Sequence, residues 1–400
     1  MTVLAWILVA ASSAGEAHFN DTQLAGLGAN GRACATCHVP QDAFQLSPDN
    51  VARRQADDPL FRPIDADDYR INGQAAHEYS NLRRGLIRVS IPLPPTLRLI
   101  DPQTNLPSSE TIADVWRAVP SIFNVAISGA DGVEPTWHLG PNPNGGYQID
   151  ARIDTLQNQA IAALRSHAGA QQLPNARWLD EIAAFESAQF SSAGVQQLAL
   201  AMREGRTTLP DPDPPLNALE QEGKEIFKRA CSACHGSEKH PSTSTVTSPP
   251  LKQRYHTIVS ACPRPKQEWC AKLGCLTFPA CDPALERTVR TYELTLPDGT
   301  KERIATSDPG RLLLSGNVLD TESLDHSHGA FDIPQLHGIA RTAPYFHNNS
   351  AATLDDVLTF YQAFFARREV LAPTSAFINP PFGPFSTAEK PALLAYLRKL

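Results

Sequence analysis

Apolar positions recur every three to four residues over Leu219 to Ala230 (LEQEGKEIFKRA), where Leu219, Gly223, Ile226 and Phe227 fall on neighbouring faces. This spacing predicts an amphipathic helix. The same period over Ala388 to Leu400 (AEKPALLAYLRKL), with Leu393, Leu394, Tyr396 and Leu397 on its apolar side, predicts a closing helix. Ala176 to Phe190 (ARWLDEIAAFESAQF) reads as a third, and a weaker helix is expected ahead of Cys34. Alternating patterns are sparse. Arg290 to Ile304, with Asp298-Gly299 in its middle, is the one segment that reads as a β-hairpin. Thr207 to Leu216 (TTLPDPDPPL) is too rich in Pro and Asp for helix or central strand and predicts a linker. The 34 prolines cannot sit inside regular elements, so the expected fold is mainly α and loop-rich.

The linker divides the chain into expected domains at 21–206 and 217–400, the second with an insertion at about 240–330 that holds the hairpin. Ahead of them, Val3 to Ala11 is an apolar run followed by small residues through Gly15, well short of the ~18 residues that span a bilayer. It predicts a secretory signal peptide over 1–20, with a frayed terminal segment as the alternative. No other stretch is long and apolar enough to cross a membrane, so the mature chain is expected to have no span and to be periplasmic or secreted. A formal charge of −7 with no basic block argues against a nucleic-acid partner.

Cysteine spacing carries the chemistry. Cys34-Ala35-Thr36-Cys37-His38 and Cys231-Ser232-Ala233-Cys234-His235 are both C-x-x-C-H. Two thiols one helical turn apart can add across the two vinyl groups of one haem, and the following imidazole can then reach the iron. Two covalently bound haems are expected. Zinc would need further ligands at paired spacing, and a thioredoxin-like motif would need a βαβ pattern. Cys262, Cys270, Cys275 and Cys281 lie close together with no histidine at haem or zinc spacing, which predicts two disulfides, a four-cysteine zinc cluster being the alternative.

These features resemble the bacterial dihaem cytochrome c peroxidases, including the MauG-like branch. The clearest match is Phe331 to Phe365 (FDIPQLHGIARTAPYFHNNSAATLDDVLTFYQAFF), similar to that family's segment after the second haem. Val119 to Asn124 (VPSIFN) and Asp150 to Ala160 (DARIDTLQNQA) resemble two first-half segments. Gly223 and Phe227 resemble the first helix of class I cytochromes c, so each half is expected to be one such unit. The resemblance implies a peroxidatic haem on His38 and an electron-relay haem on His235. The relay haem's second ligand would lie fourteen residues after His347, at Tyr361. A methionine there is excluded separately, since only Met1 and Met202 exist. A core aromatic on the Leu358, Tyr361, Phe365 face is the other reading of Tyr361, and His337 is a substitute ligand.

The resemblance further places Trp116 as a relay between the haems, with a packing tryptophan as the alternative, and Thr342 and Pro344 at a possible calcium site. The asparagine that the family usually contributes to that site is replaced near Ala118. Asn158 occupies the family's catalytic glutamate position but cannot carry a proton, so Glu134, His138, Asp154 or His167 is expected to substitute. The implied function is a periplasmic dihaem oxidoreductase that reacts with hydrogen peroxide. Its electrons would come from a small cytochrome c, a copper protein, or an oxidised protein or organic substrate. A dioxygen-using haem oxygenase of the rubber-oxygenase type and a non-enzymatic electron carrier are the alternatives.

Overall fold

The computed structural model describes residues 13–69, 77–128, 147–235, 255–257, 288–316, 330–332, 334–371 and 384–400. In the first half, helix α1 (13–20) is followed by α2 (Cys34–Cys37), α3 (Pro48–Ala52), α4 (Val125–Ser128), α5 (Leu156–Ser166), α6 (Ala176–Ser187) and α7 (Ala193–Arg203). Between α3 and α4 run strands β1 (Leu86–Pro92), β2 (Leu97–Ile100) and β3 (Ile112–Ala118). The second half holds α8 (Ala218–Ala230), α9 (Ser232–His235), β4 (Tyr255–Thr257), β5 (Arg290–Thr295), β6 (Lys301–Thr306), α10 (Leu312–Ser315), β7 (Ala330–Asp332), α11 (Leu354–Leu371) and α12 (Lys390–Leu397). The result is helix-rich with small antiparallel sheets.

Helix starts follow side-chain caps. Asn217 and Glu220 form a reciprocal box at the start of α8 (3.0 and 2.8 Å), and the Oδ1 of Asn175 accepts from Trp178 N at 3.0 Å to open α6. Two glycines then set the packing. A Cβ on Gly223 would strike the Ala392 carbonyl oxygen and lie 2.7 Å from the Tyr396 Cβ. A Cβ on Gly15 would strike the Glu181 carbonyl oxygen and lie 2.8 Å from the Phe185 Cβ. Each half therefore has a first helix crossing a later one at backbone contact, α8 on α12 and α1 on α6. Four residues beyond each glycine stands a buried phenylalanine, Phe227 or Phe19.

Residues 13–20 of the expected leader form α1 in this packing. Phe19 is 1% exposed and its ring lies 5.0 Å from that of Phe185, so cleavage at residue 20 would remove a helix from the first core. Residues 1–12 lie outside the described residues. The expected Pro-Asp linker is an extended strap docked on both crossing helices of the second half. Lys224 of α8 holds Asp211 (2.6 Å) and Asp213 (2.8 Å), and the Tyr396 hydroxyl of α12 donates to Asp213 (2.9 Å).

The strands differ from expectation in number. The Asp298-Gly299 hairpin is present as β5 and β6, with Thr300 N donating to Asp298 Oδ1 at 2.9 Å. It is one part of a three-stranded sheet, because β2 of the first half pairs with β5 (Leu97 opposite Leu294, Ile100 opposite Thr291). A second hairpin, β1 with β3, pairs Leu86 with Ala118 and Pro92 with Ile112. Val89, Leu99, Val115, Tyr292, Leu294 and Ile304 bury one shared apolar layer, so the hairpin is built into the first half's sheet. Cys262, Cys270, Cys275 and Cys281 lie outside the described residues. Among those described, no helix is long and apolar enough to cross a membrane.

Overfilling a close crossing costs about 1–3 kcal/mol. Gly223→Val is expected to lower unfolding stability by about 3 kcal/mol in urea titration, whereas Glu222→Ala on the exposed face of α8 should stay within about 0.5 kcal/mol.

Candidate functional site

The first C-x-x-C-H motif winds into α2, and the His38 Nδ1 lies 3.0 Å from the carbonyl oxygen of Phe44. A carbonyl only accepts, so Nδ1 carries the hydrogen and Nε2 keeps its lone pair for a metal. Burial lowers the imidazole pKa against the pull of the Phe44 and Pro120 carbonyls, which leaves the ring neutral. The turn that supplies the carbonyl is local. Ala43 and Phe44 both take left-handed φ (55° and 60°), Phe44 N donates to Val39 O (2.8 Å), and Asp42 accepts from Ser47 N (3.0 Å) and Oγ (2.6 Å).

The second motif repeats the arrangement with a distant partner. The His235 Nδ1 donates to the Pro334 carbonyl at 2.9 Å, across 99 residues, and burial likewise lowers its pKa. Cys34 and Cys37 form no disulfide, and burial pushes their thiols up to about 12 and about 11. Thiols free of a disulfide beside an imidazole with a free Nε2 fit covalent haem attachment.

Trp116 is buried on β3 among Leu86, Ala118 and Ile149. Its neighbour Arg117 is also buried. It makes a two-pronged pair with Asp308 (Nε to Oδ2 2.6 Å, Nη2 to Oδ1 3.0 Å) and a short one with Asp150, which also binds Arg152 at 2.8 Å. Burial alone would raise the Asp150 carboxyl, but Arg117 and Arg152 overcome it and hold the group at about 2. Next along β3, Ala118 N donates to the His347 carbonyl at 2.6 Å. The His347 ring stacks on Phe331 (3.9 Å between centroids, 16°), with both nitrogens buried and without a hydrogen-bond partner. Burial drives its pKa down to about 4, so the ring is neutral, and among the described residues neither nitrogen has a partner.

Other residues singled out by sequence are scattered. Asn158 is exposed on the first turn of α5 and donates through Nδ2 to Asp154 Oδ1 at 2.8 Å. His167 ends α5, where its carbonyl accepts from Asn30 (2.9 Å) and Arg32 (3.2 Å) and burial takes its imidazole down to about 4. Glu134 and His138 lie outside the described residues. Tyr361 is half-buried on α11 against the second core, its ring 5.3 Å from that of Phe360. The His337 carbonyl accepts from Asn124 Nδ2 at 2.9 Å. The Thr342 hydroxyl donates to Ile339 O at 3.1 Å, and Pro344 follows it after Ala343. Met202 packs beside Val195 and Leu198 on α7. Among the described residues, no group of three or more His, Cys, Asp or Glu side chains gathers to hold a metal.

Sequence reasoning missed Glu186 and Tyr147. Glu186 is 3% exposed on α6 with its Oε2 unpartnered, and the signal was available as the single acid inside the apolar stripe of Leu179, Ile182, Ala183 and Phe185. Tyr147 had no such signal.

No family model and no curated protein matches this chain. Solved structures do. The chain is similar to MauG-like dihaem proteins over nearly its whole length. A MauG-like protein associated with microbial copper homeostasis shares 18% identity, covering 98% of this chain and 88% of that one, with a TM-score of 0.45. The diheme peroxidase BthA from Burkholderia thailandensis shares 17%, covering 98% and 86%, with a TM-score of 0.41. Hydrazine synthase from Kuenenia stuttgartiensis shares 14%, covering 72% and 73%, with a TM-score of 0.34. Fewer than one residue in five is shared, so what this chain does is read from its own side chains.

The Asp150 carboxyl is depressed on folding, so its contribution is complete above its unfolded pKa of about 4 and fades as pH falls through about 2. At pH 6, Asp150→Asn should cost about 2–3 kcal/mol in urea titration. That gap should narrow steadily between pH 4 and pH 2 and stay constant between pH 5 and pH 7.

Proposed function

We propose that the protein is a dihaem c-type oxidoreductase acting on hydrogen peroxide, built as two cytochrome c-like units. Cys34, Cys37 and His38 would hold one haem, and Cys231, Cys234 and His235 the other. The observation that carries this reading is the pair of Nδ1 to carbonyl bonds, at 3.0 and 2.9 Å, which leaves the Nε2 of both motif histidines available. When bound, c-type haem supplies one-electron chemistry and, at an open iron position, a place for peroxide.

The chain's own residues divide the work. Phe44 and Pro334 orient the two imidazoles, and buried aromatic rings around His38 (Phe19 at 6.1 Å, with Phe44 against Phe19 at 6.3 Å) keep water from that site. His38 would serve the peroxide side and His235 the electron side, with Tyr361 as the second ligand there. An anionic oxygen ligand favours ferric iron relative to a thioether, which tilts the reading towards oxidation of a protein or organic substrate. A periplasmic small cytochrome c or copper protein is the other source of electrons. Trp116, buried beside the Arg117 pairs, would relay electrons between the two sites. The Thr342 hydroxyl is engaged with Ile339, so calcium there would rest on backbone carbonyls.

The mature protein should exceed its polypeptide mass by two haem masses, and one or none would overturn the reading. Tyr361→Phe should change the low-spin ferric spectrum by EPR and leave the His38 haem unaltered. Two six-coordinate haems inert to peroxide would mean an electron carrier, and dioxygen bound at the reduced His38 site would mean an oxygenase.

A further inference from the structure

A site that moves electrons to peroxide must also move protons, and the position where the family resemblance expects a proton carrier does not supply one here. Asn158 is an amide, exposed, and turned towards Asp154. The first half nevertheless contains a buried acid. Glu186 lies one residue beyond Phe185, whose ring packs 5.0 Å from Phe19 and 6.4 Å from Phe44, the residue whose carbonyl holds His38. Its Oε2 is buried without a hydrogen-bond partner.

Comparison of the two helix crossings shows that packing does not need this acid. Gly15 meets Glu181 and Phe185, while Gly223 meets Ala392 and Tyr396. Both pairs are four residues apart, so α6 and α12 align with Phe185 on Tyr396 and therefore Glu186 on Leu397. Leu397 is 4% exposed and Glu186 is 3% exposed. The second half fills the position with an apolar side chain, whereas the first half buries a carboxyl at the cost of its desolvation.

A route to solvent adjoins it. A cleft of about 340 Å³ opens between the start of α5 and α6, lined by Tyr147, Asp154, Gln157, Asp180, Ala183 and Ser187. Ala183, which lines the cleft, lies three residues before Glu186 on its side of α6, and Ser187 is the next residue along the chain. Among the described residues, the charge of Glu186 acts on Cys34 of α2 and on Tyr147 ahead of α5. His18 of α1 is engaged with Glu181 at 3.0 Å, Asp154 holds Asn158, Asp180 accepts from Gln157 at 2.9 Å, and α4 carries no titratable group.

We propose that Glu186 is the proton-carrying residue of the His38 site, exchanging its proton with solvent through Tyr147 and the cleft between α5 and α6. The proposal rests on the reading of Cys34, Cys37 and His38 as a haem site. Burial pushes the Glu186 carboxyl up to about 8 and the Tyr147 phenol, by burial and then by Glu186, up to about 12. Glu186 is thus a neutral acid at pH 7, able to give a proton and take it back near working pH. Above that midpoint, where Glu186 is ionised, gain of one electron by the site, from an electrode or a periplasmic donor, is accompanied by uptake of one proton by the carboxylate, and on oxidation that proton is released to the cleft.

The test combines two readouts on the intact protein. Infrared spectra should show a protonated-carboxyl stretch at pH 7 that titrates away with a midpoint near pH 8, is lost in Glu186→Gln and reappears shifted in Glu186→Asp. In a redox titration, the potential of the His38 haem should fall with rising pH around that midpoint, and the fall should be flat in Glu186→Gln. Tyr147→Phe should keep the midpoint but slow exchange of the acid proton with deuterium. Absence of the carboxyl stretch from the wild-type protein overturns the proposal, as does a pH-dependent potential unchanged in Glu186→Gln. Should Glu186→Gln fail to fold, the wild-type stretch and Glu186→Asp decide alone. A protein without haem would defeat the functional reading, while the infrared band would still report separately on the acid.

Discussion

A guanidinium taken out of water must be matched by carboxylates, and Arg117 is matched from both halves of the chain. Asp150 comes from the first half and Asp308 from the second, and removing either would strand a buried charge at a cost of several kcal/mol. The pair therefore fixes β3 relative to the chain that follows the hairpin. With β3 placed, Ala118 N reaches the His347 carbonyl and Trp116 faces the small cluster of Leu86 and Ile149. Segments far apart in sequence, VPSIFN, DARIDTL and PYFHNN, are brought to one cation and its flanks. Any route for electrons between the two motif histidines has to run through this buried ionic layer or around it.

The two imidazoles are oriented by unlike means. His38 bonds a carbonyl six residues away in a turn that folds on itself, so its orientation is a local property of residues 34–47. His235 bonds a carbonyl 99 residues away, so its orientation exists only once the 330–337 segment has docked. Closing that long loop costs chain entropy, which the Asn124 bonds to His337 and Gln335 and the Asp332 bond to Ile149 help to offset. The first site can thus form early and independently, while the second is completed by contacts that also join the halves.

How much of this was legible in sequence depends on whether the signal was local. The C-x-x-C-H motifs and the helices α6, α8 and α12 were readable, because five residues of reactive chemistry or a dozen of regular period suffice. The hairpin of β5 and β6 was readable from Asp-Gly. By contrast β1 and β3 carry the buried cations Arg88 and Arg117 among their apolar residues, which destroys alternation; Arg88 pairs with Asp114 across the hairpin, while the carboxylates that match Arg117, Asp150 and Asp308, lie elsewhere in the chain. The four residues of β2 are ordered by a strand nearly two hundred positions later. Helix α1 was weak because small residues, Ser13, Ala14 and Gly15, leave little periodicity, yet their smallness is what allows the crossing on α6. The carbonyls of Phe44 and Pro334 were invisible, since any residue carries a carbonyl.

The two crossings are the same solution used for unlike ends. Both rely on a glycine to let helices touch and on a phenylalanine one turn later to fill the angle between them, and packing energetics alone would favour identical surroundings. The surroundings differ where chemistry would differ. In the second half the position after the crossing aromatic is Leu397, the neighbouring acids Asp211 and Asp213 are neutralised by Lys224, and the core is closed to charge. In the first half the equivalent position is Glu186 beside an open cleft, with no cation placed against it among the causes that set its protonation. A carboxyl in that setting destabilises the fold slightly through desolvation and gains nothing from an ion pair. Its presence on one side and absence on the other are the clearest chemical difference between two crossings that are otherwise built alike.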